Sequence, residues 1–151
     1  MNPQTANQKD PQTSIEARMT TMRVIWIALI LSVGIYYMIT LFVGRSRDVE
    51  PNPTLSLTLA VAAVSATAIS FFIKAKLVGK AVEQQNVAMV QQAYVTTWAI
   101  TEVAALLGVM DFFTTGDRYY HLFFTLAALG LVLHHPRREH LHNAAFKSSV
   151  M

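Results

Sequence analysis

Cysteine is absent from the 151 residues, which excludes disulfides, thiolate metal sites and a thiol nucleophile. Charge is scarce: Asp, Glu, Lys and Arg make up 14% of the chain against 53% for apolar residues. With a positive mean hydropathy, that balance is wrong for an ordinary soluble domain. No lysine or arginine falls inside the long apolar runs, since all 12 lie between them or at their ends. Proline is missing from the central polar link KAKLVGKAVEQQNVAMVQQ, so both neighbouring helices are expected to project beyond the bilayer.

What is present is hydrophobicity in four blocks, 24–43, 55–73, 94–113 and 119–133. The first three are about 20 residues each, enough at about 1.5 Å per residue to match a hydrocarbon core of about 30 Å. The fourth is shorter, but aromatics flank one end and His134, His135, Arg137 and Arg138 the other, as interfacial anchors do, which carries the expected span to 119–135. No small-x-small cleavage pattern follows the first run, so it is read as a retained span. The fold expected is all-α, an integral membrane four-helix bundle. Residues 1–12 form a disordered polar tail, 13–135 the helical domain and 136–151 a basic, His-rich tail. Thr13 with Glu16 makes a capping box for the first helix, and Thr54 can cap the second. Similarity between WIALILSVGIYYM and WAITEVAALLGVM raises an arrangement as two tandem helical hairpins.

Basic residues set the orientation. Lys9, Arg18, Arg23, Lys74, Lys76, Lys80, Arg137, Arg138 and Lys147 flank one side, against Arg45, Arg47 and Arg118 on the other. The positive-inside rule then places both termini and the central link in the cytoplasm, with a bacterial cytoplasmic membrane as the expected location. The net charge of +3 follows from this asymmetry and calls for no nucleic-acid partner.

One carboxylate, Glu102, interrupts the third run. It lies about 12 Å from the run's start, close to the bilayer midplane. A charge there costs about 2.5–3.5 kcal/mol or more, so with no cation at its depth the expected resting state is the neutral acid, bonded to a neighbour's oxygen. Counting eight residues in from the inner end of each run gives Ser32, Ser65, Glu102 and Thr125 as one polar layer. Thr101 adjoins it. Small residues recur at helical spacing in the second run, at Thr58, Ala62, Ala66 and Ser70. The third run carries a similar stripe at Thr97, Thr101, Ala104 or Ala105, and Gly108. These stripes are expected to form a close helix–helix contact, with Glu102 at its edge.

The central hairpin, from LSLTLAVAAVSATAIS through the polar link to WAITEVAALLGVMDFF, resembles the c subunit (proteolipid) of rotary ATP synthases. That family pairs a small-residue helix and a cytoplasmic polar loop with a helix carrying a midmembrane acid in a pattern like A-L-x-E. Ala99, Ile100, Thr101 and Glu102 follow that pattern here. The resemblance implies that Glu102 binds a proton or cation, and the depth count adds Ser32, Ser65 and Thr125, with the adjoining Thr101, as the candidate oxygen neighbours. Alanines and serines stand where the family has its glycine repeat, and Glu83, Gln84 and Gln85 where it has an Arg-Gln-Pro turn.

All five histidines lie in or after the fourth run, so no two different spans can clamp a haem between them. No spacing among His134, His135, Glu139, His140 and His142 matches a zinc motif, and they are read as interfacial anchors. His121 could ligate a single pigment near the outer surface. Asp111, near the outer interface, is expected to be hydrated. No metal or cofactor is expected beyond a lipid or pigment, and no catalytic residues are assigned. Two readings stand. One is a non-enzymatic ion-handling membrane subunit built on Glu102. The other is an accessory subunit packed against partner helices, lipid or pigment in a respiratory or photosynthetic complex. The partners expected are the lipid bilayer and either other membrane subunits or further copies of the chain.

Overall fold

The structure is a computed structural model that describes residues 11–43 and 51–146, with the side chains of the first helix described from Ile15. These residues form helices α1 (Pro11–Val43), α2 (Pro53–Glu83), α3 (Val87–Thr114), α4 (His121–Leu133) and α5 (Arg138–Ala145), and no strand is found among them. Three helices, α1, α2 and α3, are long and apolar enough to cross a membrane. With its 13 residues α4 spans only about 20 Å, so the expected fourth span is a shorter apolar helix.

Every other helix packs on α3. Within the apolar windows, 44% of α3 is buried against 11% of α1, which makes α3 the axis and α1 an outer strut. α1 and α2 make no contact with each other among the described residues, so they do not form the first of two tandem hairpins. Their inward faces suit different partners. α1 presents large groups: Tyr37 lies 5.3 Å from the Phe124 ring, and the Trp26 indole bonds to a carbonyl of α4. α2 presents Leu59, Ala63, Thr67 and Ser70. That face is one residue away from the expected stripe, for Thr58 and Ala62 are exposed, Ala66 is half-buried and only Ser70 is enclosed. Thr58 turns its hydroxyl to the Thr54 carbonyl at 2.8 Å, the usual recourse of a threonine with no partner across a helix contact. On α3, Thr97, Thr101, Ala104, Ala105 and Gly108 are all buried.

Two glycines permit the closest approaches. A Cβ at Gly130 would stand 2.5 Å from Thr101 Cγ2, and one at Gly108 would stand 2.7 Å from the Phe123 Cβ, so α4 lies against α3 where no larger residue fits.

The links follow local chemistry. Asn86 N–H donates to the Ala81 carbonyl at 3.0 Å and Gln85 N–H to that of Val82 at 3.1 Å, a Schellman ending with Gln85 (φ 50°) at the position glycine prefers. Asn86 then caps α3, its Oδ1 accepting from Met89 N–H at 3.2 Å. Only 84–86 therefore separate α2 from α3, both of which run past the apolar blocks. Asn52, not Thr54, caps α2, because Pro53 occupies the first helical position and needs no N–H partner. α1 begins at Pro11, ahead of the capping box expected at Thr13.

The expected C-terminal tail contains a further helix. α5 buries Leu141 and Ala144 completely, at the end of the molecule where Ile15, Met19 and Met22 of α1, Val78 and Ala81 of α2, and Val90 and Ala93 of α3 are buried too. Residues 1–10 of the expected disordered tail, and 147–151, lie outside the described residues.

Candidate functional site

Glu102 lies on the α1 side of α3, not in the α2 contact. Its Oε1 accepts from the Ser32 hydroxyl at 2.6 Å, a bond between residues 70 positions apart that ties α1 to α3. The side chain is half-buried, and Oε2 is neither hydrogen-bonded nor sealed among the described residues. No ion pair reaches Glu102, since the one pair within 4 Å among the described residues is Arg138–Glu16 at the surface. Ser32 is chemically suited to either form of the acid: its hydroxyl donates to a carboxylate, or accepts from a carboxylic acid while turning its own hydrogen to the helix behind it.

The expected polar layer closes only in part. Ser65 is exposed, and Thr125 is exposed with its hydroxyl on the His121 carbonyl at 3.1 Å, so neither faces Glu102. Equal depth puts residues at one height without turning them toward one another. Thr101 is buried beside a second cluster on the opposite flank of α3, donating to Thr97 O at 2.9 Å and lying 3.3 Å from Ser70 Oγ.

That second cluster centres on His134, which is fully buried and not an interfacial anchor. Its Nδ1 lies 2.6 Å from the Gly130 carbonyl, which can only accept, so Nδ1 carries a hydrogen. Nε2 lies 3.4 Å from Ser70 Oγ, whose single hydrogen also has the Thr67 carbonyl in reach at 2.6 Å. The last carbonyls of α4 are satisfied here. Trp26 Nε1 donates to Leu131 O at 2.8 Å and Trp98 Nε1 to His134 O at 2.9 Å, so both tryptophans act as helix caps. An indole N–H taken out of water must find an acceptor, and a helix end supplies unpaired ones.

A third cluster sits at the α5 end. The Tyr94 hydroxyl lies 2.7 Å from His140 Nδ1 and accepts from Arg137 N–H at 3.2 Å, while the Lys74 ammonium stands 4.5 Å over the Tyr94 ring. Burial holds the His140 imidazole below its ordinary range, Lys74 and Arg137 push it further down, and Glu139 opposes them. The sequence offers His140 only as an interfacial anchor, because its partner, Tyr94, is 46 residues away.

The remaining candidates are placed singly. His121 is exposed, with Nδ1 3.0 Å from the Arg118 carbonyl, and no group of three or more His, Asp or Glu among the described residues could hold a metal. Asp111 is fully buried, contrary to the hydrated position expected of it. The Thr115 hydroxyl donates to its Oδ1 at 2.8 Å, while Oδ2 has no partner among the described residues. It was misread because the Asn52 N–H to Thr115 O bond, 2.8 Å, folds the loop before α2 over the end of α3.

No protein family, curated protein or solved structure matches the chain.

Proposed function

We propose that this chain is a non-enzymatic membrane subunit of a bioenergetic assembly, with both termini cytoplasmic, in which Glu102 takes up and releases a proton. The observation that carries the reading is the 2.6 Å bond from Ser32 to Glu102 in an apolar stretch without a basic group. Proton exchange is favoured over cation binding by the shortage of ligands. A hard cation such as calcium requires six or more oxygens, whereas one serine hydroxyl is the single hydrogen-bond partner of this carboxyl among the described residues. The half-buried position between α1 and α3 leaves Oε2 approachable from the perimeter, where a partner subunit's group could exchange the proton. The resemblance of the central hairpin to ATP synthase c subunits agrees with this role.

The test is reaction of the purified chain with a hydrophobic carbodiimide, read by mass spectrometry. One adduct at Glu102 is expected, formed more slowly as pH rises and absent in Glu102→Gln. Labelling independent of pH would overturn proton exchange. A second reading, an accessory subunit packed against partner helices, is favoured by the apolar outer face of α1, where Val24, Ile27, Leu31 and Ile35 are all exposed. Co-purification in fixed stoichiometry with a larger complex, with Glu102→Gln tolerated, would select that reading.

A further inference from the structure

We propose that the α5 end of the bundle holds a specific site for the phosphate group of one anionic phospholipid. A cleft of about 310 Å³ between α2 and α5 is lined by Phe71, Lys74, Ala75, Val78 and His140. Lys74 follows directly on the apolar run that ends at Ile73, the level at which lipid phosphates meet the hydrocarbon. Three potentially cationic groups crowd this end: Arg137 acts electrostatically on Lys74 and on His140, and Lys74 acts on His140. Glu139 is the one carboxylate that acts on His140, and it is exposed. Neither Lys74 nor Arg137 has a carboxylate within 4 Å among the described residues, where the ion pair at this end joins Arg138 to Glu16. Like charges held together beside this cleft are unfavourable until an anion joins them, and the Tyr94 ring under Lys74 fixes the ammonium in place.

The occupant is a lipid and not a free phosphate ester because the walls change character along the cleft. Lys74 and His140 offer donors, whereas Phe71, Ala75 and Val78 form an apolar wall suited to the start of an acyl chain. His140 adds a donor when protonated, so affinity should increase as pH falls below the usual histidine range.

The experiment is native mass spectrometry of the full chain extracted from bilayers of equimolar phosphatidylglycerol and phosphatidylcholine. One retained phosphatidylglycerol per chain is expected, preferred by roughly 30-fold for two interfacial cations. The preference should fall to within about threefold in Lys74→Gln/Arg137→Gln and persist in Lys76→Gln/Lys80→Gln, which removes the same charge from exposed positions nearby. Equal retention of the two lipids by the unaltered chain would overturn the proposal without any variant. So would an equal loss in both double variants, which would mean diffuse surface charge. Displacement by millimolar glycerol 3-phosphate with no lipid retained would overturn the lipid assignment.

Discussion

The α5 end and the apolar stretch of this molecule share an apolar interior but differ in what they show outside. At the α5 end, Ile15, Met19, Met22, Val78, Val90, Leu141 and Ala144 are buried while Glu16, Lys76, Lys80, Glu83 and Arg138 are exposed, the pattern of a small water-soluble core. Along the apolar stretch Trp98, Ala104, Ala105, Phe123, Phe124 and Leu131 are still buried, but polar groups join them and the exterior turns apolar. Thr67, Ser70, Thr97, Thr101 and His134 are inside, and Val24, Ile27, Leu31, Ile35, Val61 and Leu129 are outside. One sequence thus answers to two solvents, and the boundary falls near Lys74 and Arg137. The lesson concerns energetics: at the α5 end burial itself supplies the driving force, while along the apolar stretch close backbone contact and hydrogen bonds must supply it.

Substitutions can break this comparison. Leu141→Ala at the α5 end should cost about 3 kcal/mol, because a fully buried leucine leaves a cavity, whereas Leu31→Ala, 60% exposed, should cost almost nothing in detergent. Unfolding followed by the fluorescence of buried Trp98 would measure both, and equal costs would refute the division. Gly130→Ala should cost about 2 kcal/mol. Its Cβ would fall 2.5 Å from a threonine methyl that cannot swing away, since the Thr101 hydroxyl is held on Thr97 O. Thr101→Ser, which deletes that methyl, should restore most of the loss. Failure of the rescue would show that close approach is not the constraint there.

The third prediction concerns pH at the α5 end. The folded chain holds His140 below its unfolded value of 6.5, so the unfolded state binds the proton first as pH drops. The stability His140 contributes is therefore fully present above about pH 6.5 and is lost as pH falls through the lower folded value. Thermal unfolding between pH 7.5 and pH 5 should decline less steeply in His140→Gln than in the unaltered chain; parallel slopes would exclude His140 as a source. The smallest effect is a gain. Gln85→Gly should stabilise by about 1 kcal/mol, since glycine adopts the left-handed backbone without a Cβ penalty.

Much of the fold was legible from the positions of the apolar blocks and the proline-free link, because helix length and hydrophobicity are one-dimensional properties. Azimuth was harder to read. In α2, Thr58, Ala62 and Ala66 and the adjacent Leu59, Ala63 and Thr67 both recur every four residues, and with small side chains on each stripe periodicity cannot choose between them. The same limit explains the site: a depth count found Ser32 for Glu102 but also admitted Ser65 and Thr125, which point elsewhere. α5 was missed because REHLHNAA carries only a few apolar residues among charged and polar ones, and their value comes from what they meet. The roles of His134, Trp26 and Trp98 depend on where α4 stops, which tertiary contacts decide.

The separation of α1 from α2 has a consequence for biogenesis. The Trp26 indole finds its acceptor at Leu131, 105 residues further along the chain. At about 5–20 residues per second, α1 emerges from the ribosome some 5–20 seconds before that acceptor exists. During that interval α3 is the one partner helix that α1 can meet, through Ser32 and Glu102, and assembly can be completed only late, from the C-terminal side.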